Sequence, residues 1–266
     1  MIVVATNDAG VEAMTARLAE HSTQLVSPGG TRRLLLVSVA DPWTEERLVA
    51  ALRDDGIVAV VRPDGGPRFD AWQAHTEPLM FGERLSVCFA WSEHPRAALS
   101  GLVELGTGGF GNGQHPATRL LIDQLLDRVR GGERVLDVGC GSGVLGLCAL
   151  RLGAADMVGV DLKPEAVEAT IRNAALNDMT ERVAATIDPP NTLAGPFDIL
   201  LANVGRQAVV DLAPDLVRLV AGRGWLAVSG ISPQQCELVA GFLQPLVEID
   251  RRTSGEWATI VLARTN

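Results

Sequence analysis

The run Val135-Leu136-Asp137-Val138-Gly139-Cys140-Gly141-Ser142-Gly143 constrains this chain more than any other segment. A short apolar strand runs straight into three glycines within five positions, and apolar residues at helical spacing follow from Val144 to Leu152. Glycines open φ values closed to other residues and let backbone approach a ligand closely, while the helix N-terminus offers N–H groups to an anion. The same switching of period continues downstream. Strands are predicted at Arg134 to Val138, Met157 to Asp161, Val183 to Ile187, Phe197 to Asn203 and Trp225 to Gly230. Helices fall between them at Val144 to Leu152, Pro164 to Asn177, Gln207 to Ala221 and Pro233 to Leu243. Strands separated by single helices predict an α/β fold, a doubly wound Rossmann-like parallel sheet whose ligands sit at the strand carboxyl ends. Two further strands, Leu246 to Arg251 and Trp257 to Ala263, flank the turn Thr253-Ser254-Gly255 and predict a terminal hairpin with an antiparallel last strand.

The first 62 residues read differently. Ile2 to Ala5 is strand-like, Val11, Met14 and Leu18 recur at helical spacing, and Thr23 to Val26 and Arg33 to Val39 are strands about the turn Ser27-Pro28-Gly29-Gly30. Thr44 with Glu46 opens a helix through Leu48, Leu52 and Arg53, and Gly56 ends it before Ile57 to Val61. That βαββαβ order predicts a small ferredoxin-like domain. Arg62-Pro63-Asp64-Gly65-Gly66-Pro67 continues neither periodicity and marks a boundary. The expected organisation is therefore a small domain at 1–62, a linker and lead-in segment at 63–100, and the large α/β domain at 101–266.

Charge and composition narrow the function. Lys+Arg 23 against Asp+Glu 32 gives net charge −9, which argues against direct nucleic-acid binding and favours a basic protein partner or a small molecule. Tyrosine is absent and Lys163 is the lone lysine, which removes Tyr-based catalysis and leaves little Lys-based catalysis. Cys88, Cys140, Cys148 and Cys236 form no C-x-x-C pair, so a reducing compartment is expected. His21, His75, His94 and His115 are scattered without ligand spacing, so no metal is expected. No apolar run reaches the length of about 18 residues that spans a membrane, and the opening Met1-Ile2-Val3-Val4 has no signal-peptide pattern. A cytoplasmic protein is expected.

Candidate ligand contacts cluster around the strand ends. Asp161, twenty-two residues past Gly139, ends the second strand, where its carboxylate can accept from two ribose hydroxyls. Gly141, Gly143 and Gly146 also spell G-x-G-x-x-G, so the loop alone is compatible with S-adenosylmethionine or with a dinucleotide of an NAD-dependent oxidoreductase. Asn203 ends the fourth strand, where its oxygen can accept from an amine while its NH₂ is held elsewhere; an Asn that merely terminates the strand is the alternative. Ahead of the sheet, Gly108 to Gly113 with Gln114, His115, Pro116, Ala117 and Thr118 resembles a flexible cover before a helix at Arg119 to Val129, Pro116 suiting a first helical turn. Asp188 either touches an adenine or caps the turn into Pro189-Pro190.

Taken together, Phe110-Gly111-Asn112-Gly113-Gln114-His115-Pro116-Ala117-Thr118, the strand and glycine loop from Val135 to Gly143, Asp161-Leu162-Lys163-Pro164 and Leu201-Ala202-Asn203 resemble the PrmA family. Trp72, Pro78, Phe81 to Leu85, Trp91, Ser229-Gly230-Ile231 and Gly255-Glu256-Trp257 extend the similarity from about residue 70 to the C-terminus. Members of that family use S-adenosylmethionine to methylate large-subunit ribosomal protein eleven. The resemblance implies a methyltransferase sheet, cofactor binding by Thr118, Gly139, Asp161 and Asn203 with Gly141 and Gly143 in the loop, and a ferredoxin-like domain that recognises the ribosomal protein.

The implied chemistry is methyl transfer to a lysine or N-terminal amine. A sulfonium is already activated, so the protein's tasks are alignment, exclusion of water and loss of the amine's proton. Asn203 is the candidate to orient the amine, and His115 is the candidate to assist deprotonation or to serve as a structural hydrogen-bonder. The chain departs from the family at Asn112, usually Thr, and at Val204-Gly205-Arg206-Gln207, where the family carries a short apolar segment. Those departures leave a different protein or a small amine metabolite open as substrate. Base and glutamine methylases carry Pro-Pro-Tyr after this Asn to stack a planar group; Val204-Gly205 has no such platform, which favours an aliphatic amine.

Overall fold

Alternation at Ile2 and Val4, and again at Leu35 and Val37, puts one face of each of two strands into a small core. The computed structural model describes residues 2–7, 11–29, 32–38, 47–52, 59–61, 77–90, 98–106, 111 and 113–264, and its chain falls into two units. One comprises Met1–Pro78, Cys88–Ala98 and Glu104–Gly108; the other comprises Leu79–Val87, Leu99–Val103 and Gly109–Asn266. In the first, β1 (Ile2–Asn7), α1 (Val11–Arg17), β2 (Ser22–Gly29), β3 (Arg32–Ser38), helical residues 47–52 (α2) and β4 (Ala59–Val61) follow in turn. The sheet order is β2-β3-β1-β4 with antiparallel pairs throughout. Leu18, Val49 and Leu52 close its core over Ile2, Val4, Leu35 and Val37. Strand β2 continues through Ser27-Pro28-Gly29, where a turn is expected from sequence, with a register shift between Val26 and Gly29. Thr44, Glu46, Arg53, Gly56, Ile57, Val58, the boundary at 62–67, Trp72, His75, Trp91 and His94 lie outside the described residues.

Strands β5 (Leu79–Phe81), β6 (Leu85–Phe89) and β7 (Leu102–Leu105) form a three-stranded sheet of that order, with Leu79 opposite Val87. Beyond it come α3 (Pro116–Arg128), β8 (Arg134–Val138), α4 (Val144–Arg151), β9 (Asp156–Val160), α5 (Pro164–Leu176), β10 (Val183–Thr186) and β11 (Phe197–Asn203). Helix α6 (Arg206–Leu219), β12 (Val220–Ile231), α7 (Cys236–Phe242), β13 (Val247–Ser254) and β14 (Trp257–Ala263) complete the unit.

The seven strands are ordered β10-β9-β8-β11-β12-β14-β13. The first five run parallel and the terminal hairpin is antiparallel, as the sequence leads one to expect. The central strands are apolar on both faces because helices cover both, so Val135, Leu136, Val138 and Ile199 to Ala202 are all buried. Helix α6 buries Val209, Ala213, Leu216 and Leu219 against this sheet, a stripe at helical spacing.

Sequence order reverses at β8: the chain moves outward to β9 and β10, then returns to pair β11 on the other side. Such a switch point leaves a crevice at the strand carboxyl ends. Several bounds differ from expectation. Helix α3 starts at Pro116, because His115 caps it and Pro116 takes its first turn, three residues before Arg119. The helix expected at Pro233 to Leu243 splits into a tight turn at Pro233–Gln235 and α7, since Ser232 and Gln235 form a reciprocal capping box. The hairpin turn is Gly255-Glu256, because Ser254 still pairs with Trp257.

Candidate functional site

Strand β8 delivers the glycine loop to the crevice, and neighbouring side chains fix it. The amides of Gly139 and Cys140 both donate to the Val160 carbonyl, at 2.8 and 3.1 Å. Asp161 stands just past β9, where its Oδ2 accepts from Gly141 N–H at 3.1 Å and its Oδ1 from Lys163 N–H at 3.1 Å. One carboxylate thus ties together the loops after β8 and β9, with lone pairs remaining on each oxygen. From α5, Thr170 Oγ1 lies 3.2 Å from the Gly141 carbonyl and Asn173 Nδ2 donates to the Ser142 carbonyl at 2.7 Å. Ser142 Oγ donates to the Gly111 carbonyl, joining the loop to the glycine-rich segment ahead of α3.

Opposite the loop, Asn203 ends β11. Its Nδ2 donates to Thr118 Oγ1 at 3.0 Å, and Thr118 is buried in the first turn of α3. His115 caps that helix, its Nδ1 accepting from Ala117 N–H at 3.3 Å, and its ring meets Trp257 edge-on with centroids 4.6 Å apart. A cavity of about 290 Å³ opens between these groups, lined among others by Gly111, His115, Thr118, Gly139, Asn203 and Trp257.

Four of the residues singled out from sequence, His115, Thr118, Gly139 and Asn203, therefore share one cavity. Gly141, Gly143 and Asp161 do not line it: Gly141 and Gly143 lie further along the loop, Gly143 at the N-cap of α4, and Asp161 buttresses the loop. Asp188 is engaged locally, its Oδ2 accepting from Thr186 Oγ1 at 2.8 Å. Gly108 to Phe110 and Asn112 lie outside the described residues.

Backbone geometry shapes the cavity at two glycines. Gly139 has φ +74°, and a Cβ there would fall 2.5 Å from Val204 Cγ1. Gly230, in the irregular stretch of β12 between Val228 and Ile231, has φ +80°, and a Cβ there would sit 3.0 Å from the Val204 carbonyl oxygen and 3.4 Å from Asn203 Oδ1. Only glycine fits both conformation and space.

Electrostatics behind the loop are unusual. Asp137 is wholly buried in β8, and burial raises its carboxyl to about 7, with Asp161's charge adding and a 3.2 Å bond from Gly146 N–H opposing. Its Oδ1 has no hydrogen-bond partner among the described residues. Burial likewise pushes the Cys140 thiol up to about 12, so this cavity-lining cysteine is no nucleophile at neutral pH. Among the described residues no cluster of His, Cys, Asp and Glu is arranged to hold a metal ion, and no helix is long and apolar enough to cross a membrane.

Thr170, Asn173 and the position of Trp257 escape motif reading. A signal exists for the first two: polar residues three apart on the helix face that also carries Ala166, Ala169 and Ala174 face the interior and need partners there.

Comparison with known proteins gives this geometry a family. The family model described as ribosomal protein L11 methyltransferase (PrmA) matches residues 69–265. A protein named ribosomal protein L11 methyltransferase from Pelobacter propionicus is 39% identical over 203 residues, 73% of this chain, and one from Marinomonas sp. is 39% identical over 193 residues, 71% of this chain. The matched stretch spans 65% and 64% of those relatives' lengths. A crystal structure of a ribosomal protein L11 methylase from Lactobacillus delbrueckii subsp. bulgaricus superposes with TM-score 0.66 at 25% identity, covering 72% of this chain and all of that one. A structure described as a putative RNA methyltransferase from Pyrococcus horikoshii shares the fold at TM-score 0.51 and 18% identity, over 59% of this chain and 87% of that one. With its family match covering residues 69–265, the glycine loop, Asp161 and the Thr118–Asn203 pair included, this chain belongs to the PrmA family.

Proposed function

We propose that this chain is an S-adenosylmethionine-dependent N-methyltransferase that modifies amines of a protein, a large-subunit ribosomal protein being the favoured substrate. The observation that carries this reading is Asn203 at the switch point, its NH₂ engaged by Thr118 Oγ1 at 3.0 Å, across a cavity from the glycine loop. With the NH₂ occupied, Oδ1 is the group left to accept from an amine. Family membership favours the sulfonium cofactor over the dinucleotide that the loop alone also suits.

The residues present fit that cofactor. Positive-φ glycine at 139 keeps the loop open against Val204, and Asp161 retains acceptor capacity beside the loop it braces. Gly139, Gly141, Gly143, Thr118, Asp161 and Asn203 are the residues assigned to hold it. When bound, S-adenosylmethionine supplies a methyl group activated by the positive sulfur. Asn203 Oδ1 orients a neutral amine, Trp257 and Val204 exclude water from the apolar part of the cavity, and Thr118 fixes the amide. His115, with Nδ1 committed to the α3 cap, carries its proton on Nε2 when neutral and acts as a fixed donor and wall. The amine's proton is accordingly lost to solvent before transfer. Val204 and Gly205, where the family pattern is broken, line the same cavity, so an amine on a different protein or on a small metabolite is the second reading.

Residues 1–62 are assigned the recognition of the protein substrate, as a ferredoxin-like module. The decisive experiment incubates the purified chain with methyl-labelled cofactor and total ribosomal proteins. Label in one small large-subunit protein supports the assignment, and its absence overturns it. Asn203→Ala should lose about a hundredfold or more in transfer, well beyond its loss of S-adenosylhomocysteine affinity. Deleting residues 1–62 should weaken protein-substrate affinity and spare S-adenosylhomocysteine binding.

A further inference from the structure

Two hydroxyls lie in the otherwise apolar contact between β12 and β14, where Val228, Ile231, Ala258 and Ile260 are buried. Ser229 and Thr259 are both fully buried, and Thr259 Oγ1 donates to Ser229 Oγ at 2.7 Å. Ser229 Oγ in turn lies 3.0 Å from the Ala117 carbonyl and 3.2 Å from the Ala258 carbonyl. A buried hydroxyl is costly unless partnered, and alanine and valine would pack the same sheet without that cost. The partner reached here is specific: Ala117 adjoins Thr118, whose hydroxyl accepts from Asn203 Nδ2.

The irregular stretch of β12 explains how this is possible. Between Val228 and Ile231 the register against β14 shifts, Ser229 turns toward the first turn of α3, and Gly230 passes beneath Asn203 Oδ1. Bulges next to active sites commonly re-aim a side chain in this way. The chain of contacts thus runs Thr259 hydroxyl, Ser229 hydroxyl, Ala117 carbonyl, Thr118 hydroxyl, Asn203 amide. Because an Asn amide is nearly symmetric in shape, its orientation is set by its partners alone. If α3 slid along the sheet, Thr118 would lose the NH₂ and Oδ1 would no longer be presented as the acceptor.

We infer that Ser229 and Thr259 are positioning residues for the methyl transfer: a buried hydroxyl pair that registers α3 against the sheet and thereby fixes the orientation of the Asn203 amide. This rests on the function proposed above. None of the three hydrogen bonds reaches the glycine loop, so the effect falls more heavily on the acceptor side of the cavity than on cofactor affinity.

The test compares Thr259→Val, Ser229→Ala and the hydroxyl-retaining Thr259→Ser. Thr259→Val and Ser229→Ala should lose about ten- to a hundredfold in kcat at saturating cofactor, with a distinctly smaller fall in S-adenosylhomocysteine affinity and Thr259→Ser restoring near wild-type kcat. Unchanged kcat in the folded variants, an equal fall in S-adenosylhomocysteine affinity, or failure of Thr259→Ser to restore the rate would overturn the inference. A second measurement needs no turnover: the ¹H–¹⁵N side-chain amide signals of Asn203, identified by their loss in Asn203→Asp, should shift in Thr259→Val and Ser229→Ala and hold in Thr259→Ser. Signals that stay fixed in all three refute the positioning role. Should the wild-type chain transfer no methyl group to any ribosomal protein, the proposed function fails on its own, and the amide signals still decide whether the hydroxyl pair orients Asn203.

Discussion

Replacing Asp137 by Asn should change how stability depends on pH more than it changes stability at any one pH. The carboxyl is fully buried under the glycine loop, accepts one bond from Gly146 N–H at 3.2 Å, and is raised from 3.8 to about 7, chiefly by burial. Between those two values the folded chain holds a proton that the unfolded chain has released, so this group's contribution to stability falls as pH rises. It is fully present below about 4, declines by about 1.4 kcal/mol per pH unit, and is lost once pH passes about 7, a total on the order of 4 kcal/mol. Asn does not titrate, and its Oδ1 can still accept from Gly146 N–H. Urea unfolding of cofactor-free wild type and Asp137→Asn at pH 5, 6, 7 and 8 isolates the effect, because other titrating groups cancel in the difference. The variant should gain on wild type by about 2 to 3 kcal/mol between pH 5 and pH 7 and no further at pH 8. A constant offset from the new NH₂ leaves that slope untouched. A difference that is flat from pH 5 to pH 8 refutes the claim that a neutral carboxyl sits beneath the loop.

Other outcomes follow from the same contacts. Gly139→Ala places Cβ 2.5 Å from Val204 Cγ1 at φ +74° and should cost about tenfold or more in S-adenosylhomocysteine affinity by calorimetry; unchanged affinity would mean the cavity wall yields freely. Gly230→Ala meets the Val204 carbonyl, which cannot move aside as a side chain can, so transfer rate should drop further than cofactor affinity, measured by single-turnover kinetics. Asn173→Leu strands the buried Ser142 carbonyl and should lower unfolding free energy by about 1 to 3 kcal/mol together with S-adenosylhomocysteine affinity. A variant with native affinity would show that α5 does not brace the loop.

Much of the site is legible because its parts are carried by local pattern. A strand, glycine loop and helix in sequence identify Gly139, and the apolar run ending in Asn203 identifies another strand end, while the order that makes these two strands neighbours at the switch point comes from the structure. His115 and Thr118 are legible as candidates through their glycine-rich surroundings, but the capping bond of His115 is not, and α3 begins three residues before the expected start for that reason. Asp161 reads as a ligand contact from its place after the second strand, whereas its bracing of Gly141 is invisible in the sequence. Ser229 and Thr259 are least legible. A lone hydroxyl in an apolar strand is ordinary in sequence, and their partnership depends on a register shift against β14 that no periodicity encodes. The long β12 is hidden similarly, since Val220 pairs with Phe197 across a bulge before the strand expected from Trp225.

The pairing of β8 with β11 has a mechanical consequence. Val138, the last residue of β8, sits opposite Ala202 in register, and the next residue on one side is Gly139 of the loop and on the other Asn203, which ends β11. On the function proposed above, the cofactor side and the acceptor side spring from paired strand ends about 4.8 Å apart, the repeat between neighbouring strands, a ruler that loops cannot stretch. That ruler lies in the innermost part of the sheet, where backbone hydrogens should exchange with water only when the whole domain opens. Heating should then abolish the spacing and the fold together, while drift in substrate preference is confined to what hangs beyond the ruler's end, beginning with Val204 and Gly205.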